Sequence, residues 1–389
     1  MNEFGNGLLI LIKSAVDGTP GVLPEGFSLT AIEKTIQKHQ VVGLAYEGAV
    51  LCGIDKEHPA MQRLFRKYYE QMLRSEKQIQ ALEKLFAAFD EKGIDYLPVK
   101  GWDMKMLYPN PAMRTMGDAD VLIRIEQYDR ICKVLRTLGY KEGKQTEYEL
   151  IWDCPVLHLE LHKQLMPSYH SGLQRKIKND WDLAVPAAGN RYTYSPEDMY
   201  LFLFVHLVKH YTRGGVGLRH VLDLWFFAEA NPTMDMVKIQ QELSRMELAE
   251  FHNNIRALIR YWFAGGKSDH KVEFIAQFII SSGSWGKREN SLRFDAMRQK
   301  KIIAANRGSR VSWMFKQMFP GLRPMQQRFP VLRKCPWLLP VMWLVRGVKI
   351  LLFGKDKISY KRKTLKYTIS KDVQDYEAAL HYVGLHYDI

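Results

Sequence analysis

The sequence predicts an α+β protein, and three observations carry that expectation. Between residues 94 and 161, short apolar segments either alternate with polar positions or end in turn residues, which is the pattern of strands. On both sides of this region, longer stretches repeat apolar residues at helical spacing. The composition, 47% hydrophobic and 25% charged, is that of a globular protein. At 389 residues the chain is too long for one small core, so more than one domain is expected.

Residues 1–90 read as a helical segment packing on the core that follows. Leu8, Leu9, Leu11 and Ile12 open a short helix, and Pro20 and Pro24 break it. Ser28 caps a helix over 29–39. A long helix over 61–91 follows from Leu64, Tyr68, Met72, Ile79, Leu82 and Leu85, and Gly93 ends it.

Residues 91–194 form the core. A strand over 94–99 turns at Lys100-Gly101 into a helix over 102–107, followed by a turn at Pro109 and Pro111. A second strand carries Asp118 and Asp120 and continues through Val121, Leu122 and Ile123. An amphipathic helix over 125–138 stops at Gly139. Two further strands are expected over 148–152 and 156–161. In the latter, Leu157, Leu159 and Leu161 alternate with His158, Glu160 and His162.

Residues 195–280 read as a helical, substrate-side domain. Ser195-Pro196-Glu197-Asp198 is a strong helix start, with a cap, a proline in the first turn and acids behind it. The helix it opens carries His206 and His210 four apart on one face. That spacing suits Zn²⁺, but no acid-rich motif adjoins it, so the expectation is a non-metal role. Arg219 and Asp223 lie four apart on the next helix. A surface ion pair would explain them, but Leu222, Leu224, Trp225 and Phe226 mark that helix as buried.

Asp118 and Asp120, two apart in a strand, point to one face. Adjacent carboxylates repel in a dry site unless a cation lies between them, so the pair reads as a platform for Mg²⁺ or Mn²⁺. The Lys100-Gly101 turn lets backbone N–H groups approach a phosphate at a helix start, and Lys100 and Arg114 supply charge for it. The plainer alternatives are a surface Lys100 and an Arg114 paired with a nearby acid. His158 and His162 read as orienting or structural, because Mg²⁺ prefers oxygen ligands.

Lys100, Gly101, Leu107, Tyr108, Pro109, Arg114, Gly117, Asp118, Asp120, Val121 and Leu122 form a run that resembles the core of the DNA polymerase β-like nucleotidyltransferases. More narrowly, it resembles a bacterial family known as "nucleotidyltransferase family protein". The resemblance is specific in this stretch and looser over 80–230. It implies a mixed sheet flanked by helices, with N-terminal helices and a mainly helical C-terminal region. It also implies transfer of a nucleoside monophosphate from an NTP to an unidentified acceptor, by in-line displacement with two metal ions about 4 Å apart. Asp118 and Asp120 would hold both ions, and Glu160 falls where that family keeps its third acid. Lys100, Gly101, Arg114 and Gly117 become the phosphate-binding set. On the substrate side stand His162, His210, Arg219 and Asp223, the last two matching a Gly-Leu-Arg-x-x-x-Asp helix at Gly217, Leu218, Arg219 and Asp223. One departure stands out: the superfamily turn is usually Gly-Ser or Gly-Gly, whereas here Gly101 precedes Trp102. That leaves Lys100 as the compensating phosphate ligand.

No Walker phosphate loop and no dinucleotide fingerprint is present in the sequence. Phosphoryl transfer to a small molecule is the alternative reaction on this scaffold. A non-catalytic module binding nucleic acid or a membrane surface is the alternative class. The three acids at 118, 120 and 160 favour catalysis.

Charge is unevenly spread. Residues 281–370 hold 21 Lys/Arg against three acids, while the whole chain nets +14. Residues 281–389 therefore form a basic, aromatic-rich region whose expected partners are a peripheral anionic membrane or a nucleic acid. Within it, the longest apolar run without charge covers 335–345, short of the roughly 20 residues a membrane span needs. A helix from Val341 would gather Val341, Leu344, Val345, Val348 and Leu352 on one face and Arg346 and Lys349 on another, with Trp343 and Phe353 near its ends. Arg333, Lys334, Lys355, Lys357, Lys361, Arg362 and Lys363 flank it, the composition of a helix lying in a membrane interface. Cys52, Cys132, Cys154 and Cys335 are scattered, which argues against disulfides and a cysteine zinc site. With no secretory signal evident, the expected location is the cytoplasm, with peripheral contact at the inner membrane surface.

Overall fold

A computed structural model of the chain describes residues 3–146, 148–165, 180–305, 318–353, 364 and 371–386. The chain divides into two units, residues 1–286 with 382–389, and residues 287–381.

The first unit begins with four helices, α1 (Glu3–Asp17), α2 (Leu29–Lys38), α3 (Val42–Leu51) and α4 (Pro59–Glu91). The first is longer than the apolar run at 8–12 suggested. Ser28 caps α2 by accepting from the Ala31 N–H, and the Gly93 backbone at φ +61° follows the end of α4. Gly48 is required by close packing of α1 on α3, because a Cβ there would fall 1.8 Å from the Leu11 carbonyl oxygen.

The chain then runs through β1 (Tyr96–Val99), α5 (Gly101–Lys105), β2 (Ala119–Ile123), α6 (Tyr128–Thr137), β3 (Lys141–Gln145), β4 (Glu149–Asp153) and β5 (His158–His162). The five strands form a mixed sheet in the order β1-β2-β5-β4-β3, in which β2 and β5 run parallel and the other neighbours antiparallel. Leu82, Leu85, Phe86 and Phe89 of α4, with Ile131, Val134 and Leu135 of α6, cover one face. They meet Ala119, Val121 and Ile123 of β2 and Leu159 and Leu161 of β5, the positions that share a face in a pleated strand.

Several boundaries differ from the sequence expectation. The second strand starts at Ala119, which leaves Asp118 just outside it, and α5 covers Gly101–Lys105 rather than 102–107. The amphipathic segment after Ile123 starts with a 3₁₀ turn (Ile125–Gln127) before α6. β3 is an edge strand, and all five of its residues (KEGKQ) are exposed, so it carries no apolar alternation to reveal it. A small hairpin, β6 (Ala184–Pro186) and β7 (Tyr192–Tyr194), was also not expected.

Five helices complete the unit: α7 (Pro196–Arg213), α8 (Leu218–Ala230), α9 (Met236–Arg245), α10 (Ala249–Phe263) and α11 (His270–Ser282). Ser195 caps α7 through the Asp198 N–H. His39, at the end of α2, is fully buried and joins three helices. Its Nδ1 accepts from the Leu218 N–H at the start of α8 (3.1 Å), and its Nε2–H donates to the Ile280 carbonyl in α11 (3.0 Å).

The second unit contains α12 (Arg288–Ala305), α13 (Leu322–Arg328), α14 (Val331–Lys334), α15 (Leu339–Phe353) and α16 (Lys371–Tyr382). Trp343 of α15 donates to the Pro320 carbonyl (2.9 Å) and packs edge-on against Phe319. Val341, Leu344 and Val348 of the expected apolar face are exposed, Leu344 by 72%. The basic flank at Lys355, Lys357, Lys361, Arg362 and Lys363 lies outside the described residues. Among the described residues, no helix is long and apolar enough to cross a membrane.

The His39 bonds generate a stability prediction. His39→Ala should lower the unfolding free energy by about 2–4 kcal/mol in a urea titration, since it strands a buried donor and acceptor. Burial is the main cause that lowers the His39 pKa from 6.5 to about 4. The unfolded chain therefore binds a proton in that interval that the folded chain does not, and stability falls as pH drops from 6.5 toward 4. This single-site component, about 3 kcal/mol, should be missing in His39→Gln.

Candidate active site

The sheet face opposite α4 and α6 carries the polar residues. Asp120 and Glu160 are direct partners on the parallel strands β2 and β5, and His162 lies two residues beyond Glu160 on the same face. One ligand atom from each of Asp120, Glu160 and His162 lies within 4.8 Å of the others. Asp118 is exposed, whereas Asp120 is buried. Both carboxylates act on Glu160. Burial, Asp120 and Asp118 together push the Glu160 carboxyl above its ordinary value.

Asp120 is held in the opposite direction. Its Oδ1 accepts from Lys100 Nζ (2.9 Å) and from His162 Nε2–H (2.7 Å). Burial alone would raise the Asp120 carboxyl, but Lys100 and His162 together hold it well below the usual carboxylate range. His162, read from the sequence as orienting or structural and on the substrate side, thus bonds a carboxylate. His158 does so further out, with Nδ1 2.5 Å from Asp153 Oδ1.

Lys100 occupies a strained backbone position, φ 55° and ψ −93°, directly before α5. Gly101 behind it is buried, and a Cβ there would sit 2.9 Å from Met116 Sδ, so the glycine allows close approach of the two turns. Gly117 is exposed and has open space around it.

The segment leading into β2 is held through its carbonyl oxygens. Gln71 donates to Ala112 O, Lys105 to Arg114 O, Arg219 to Thr115 O and Gln78 to Met116 O, at 2.7–3.1 Å. Side chains from α4, α5 and α8 thereby satisfy backbone groups that no ladder reaches. Arg114 is buried and reaches α8. Its Nε and Nη2 donate to the two carboxylate oxygens of Asp223 (2.7 and 2.8 Å), and its Nη1 donates to the Gly101 carbonyl. Tyr108 Oη adds a 2.9 Å bond to Asp223. The sequence reading placed Arg114 on the phosphates and Asp223 on the substrate side. The structure makes them partners in one buried pair, the plainer alternative for Arg114, because a fork of two N–H groups matches a carboxylate better than any other arrangement open to it.

α7 and α8 bring further residues toward this face. Lys209 was not singled out from the sequence, although it lies between His206 and His210. Burial, and next the charge of Lys100, lower its pKa from 10.5 to about 8, while Asp120 and Glu160 pull it back up. Burial and the neighbouring Arg114 lower the Arg219 pKa. His210, expected on the substrate side, has His206 and His220 as ring neighbours, with centroids 4.4 and 4.9 Å away. His220 had no sequence signal of its own, since its partners lie on a different helix.

A family model described as "Uncharacterised nucleotidyltransferase" matches residues 27–264 of this chain. Two solved structures of the antibiotic-resistance factor ANT(2'')-Ia are also similar. The solution structure is 14% identical, with a TM-score of 0.33 over 48% of this chain and 97% of that one. The crystal structure in complex with adenylyl-2''-tobramycin is 13% identical, with a TM-score of 0.32 over 44% and 97%. A search of curated proteins finds no match.

The buried pair carries a prediction of its own. Asp223→Ala leaves the Arg114 guanidinium buried without its carboxylate, and chemical denaturation should show a loss of about 3–5 kcal/mol. Arg114→Met with Asp223→Leu should recover much of that loss, because no buried charge is then left unpaired.

Proposed function

Since the chain belongs to the uncharacterised nucleotidyltransferase family, we propose that it transfers a nucleoside monophosphate from an NTP to an acceptor, using a divalent ion on Asp118, Asp120 and Glu160. The observation that carries this reading is the pairing of Asp120 with Glu160 across β2 and β5, with Asp118 near enough to act on Glu160 and Lys100 bonded to Asp120. Burial and then the two aspartates push Glu160 up, and the repulsion between the carboxylates is what a cation there would relieve. An all-oxygen set of carboxylates fits Mg²⁺ or Mn²⁺. When bound, such an ion supplies Lewis-acid stabilisation of the charge that develops on the phosphoryl oxygens.

The chain's own residues have distinct tasks in this scheme. Lys100 and Lys209 neutralise the triphosphate. Glu160, whose carboxyl is raised by burial and the two aspartates, accepts the proton of the attacking acceptor group. His162 holds Asp120 in its orientation. Arg114 and Asp223 act as positioning residues, because Arg114 bonds the Gly101 carbonyl that follows Lys100. Arg219 fixes the backbone just before Asp118.

The test is NTP consumption with Mg²⁺ against pools of acceptors, with wild type beside Asp118→Ala/Asp120→Ala. Pyrophosphate is the expected product; release of a nucleoside diphosphate would point to phosphoryl transfer instead. In calorimetry, Asp118→Asn or Asp120→Asn should abolish binding of Mg·NTP while leaving the fold intact. Glu160→Gln should lower turnover at least about 100-fold with little change in NTP affinity. In wild type, Mg²⁺ affinity should weaken on acidification through a pKa above the ordinary 4.5 of a glutamate, since burial and the two aspartates raise the metal-free Glu160 carboxyl and protons then compete with the ion.

The basic second unit is proposed to meet an anionic membrane surface. The exposed Val341, Leu344 and Val348 on one side of α15, with Trp337 exposed by 75%, support this over nucleic acid. The protein should sediment with anionic vesicles at low salt and leave them at high salt. Retention in the supernatant with anionic vesicles, together with binding to single-stranded RNA, would favour nucleic acid.

A further inference from the structure

We propose that His206, His210 and His220 form a second metal site, apart from the carboxylate platform, for a first-row transition ion of the Zn²⁺ type with one open coordination position.

The placement of the three residues comes from two helices. His206 and His210 share a face of α7 at i,i+4, and His220 enters from the first turn of α8. The start of α8 is fixed in turn: the Leu218 N–H bonds His39, and Gly217 packs so tightly on Ser284 that a Cβ would lie 2.4 Å from its Oγ. His220 is therefore held in position by packing, as a metal ligand needs to be.

Geometry supports a shared ion. One nitrogen from each ring lies within 4.8 Å of the other two. Ring centroids are 4.4, 4.9 and 5.7 Å apart. Imidazoles bound to one tetrahedral ion through nitrogens about 2.0–2.1 Å from it have centroids about 5 Å apart, so a small closure would complete the site. The interplanar angles of 83°, 42° and 55° show rings fanned around a point and not stacked in a column.

The chemistry of the donors points the same way. Nδ1 of His220 is buried without a hydrogen-bond partner among the described residues. A buried ring nitrogen without a partner carries a desolvation cost that a metal would repay. Burial holds all three imidazoles well below their ordinary pKa, so their lone pairs are open to a metal at neutral pH without competition from protons. Three imidazoles select Zn²⁺, Co²⁺ or Ni²⁺ over Mg²⁺, which keeps the two sites chemically separate. Lys100 acts on all three rings and Lys209 on two. These cations oppose a bare dication, so the fourth ligand is an anion, either hydroxide or a phosphate oxygen.

Full-length protein stripped with a chelator would be titrated with Co²⁺ in excess Mg²⁺, following visible absorption of four-coordinate Co²⁺. One equivalent should bind, with Zn²⁺ displacing it. His206→Gln and His220→Gln should each weaken binding by about 100-fold or more, and Zn²⁺ should raise the melting temperature of wild type but not of these variants. Asp120→Asn/Glu160→Gln should keep the full equivalent. The proposal is overturned if wild type gives no four-coordinate Co²⁺ band, if the band survives in His206→Gln/His220→Gln, or if it vanishes in Asp120→Asn/Glu160→Gln. The first of these readings needs no variant, so it holds even if a substituted chain fails to fold.

Discussion

The buried ion pair between Arg114 and Asp223 is the constraint on which the candidate site depends. It joins residues 109 positions apart, one in the turn before β2 and one in α8. Taking both charges out of water is expensive, and the cost is offset only because the geometry is bidentate and Tyr108 adds a bond to the carboxylate. What the pair secures is position. Arg114 also bonds the Gly101 carbonyl, so one guanidinium ties together the Lys100 turn, the approach to Asp118 and the helix that carries Arg219 and His220. Burial pulls its pKa down, yet Asp223 keeps it above the ordinary arginine value, so its charge is permanent.

Around this fixed frame, the charges are arranged in opposition. Asp120 is kept ionised by two donors on a single oxygen, while Glu160, its neighbour across the β2–β5 ladder, is pushed toward its neutral form. Two carboxyl groups in direct register are thus driven in opposite directions, which is how a fold assigns different roles to chemically equal side chains. On the helix side, burial and next the charge of Lys100 lower the Lys209 pKa to about 8. Negative charge arriving beside the lysines would relieve their crowding, as a cation would relieve the carboxylates.

Much of this was legible in the sequence, for reasons that can be stated. The strand pair bearing Asp120 and Glu160 showed through because an alternating strand exposes its period directly, and Ser195 and Ser28 showed through because a cap is a local bond. β3 stayed hidden because an exposed edge strand of Lys, Glu, Gly, Lys and Gln has no apolar period. The roles of Arg114 and Asp223 were read separately, and a pairing across 109 residues leaves no mark on local spacing. The same holds for His220, whose relation to His206 and His210 exists only once α7 and α8 have packed. Lys209 was visible as a residue, but its significance lies in its burial, which composition does not report.

Lys100 shows how these levels meet in one residue. A lysine at positive φ costs about 1–3 kcal/mol, and glycine would adopt that backbone without strain. Glycine, however, would bring no ammonium to Asp120, and it would leave that carboxylate with His162 as its remaining donor on Oδ1. The strain is therefore borne for the side chain, and the Gly101 that follows permits it by letting Met116 close on the turn. With Trp102 packed edge-on against Phe86 in the core, the turn has given its next position to packing. The turn presents instead the lysine before it, whose charge reaches Asp120, Lys209 and all three histidines.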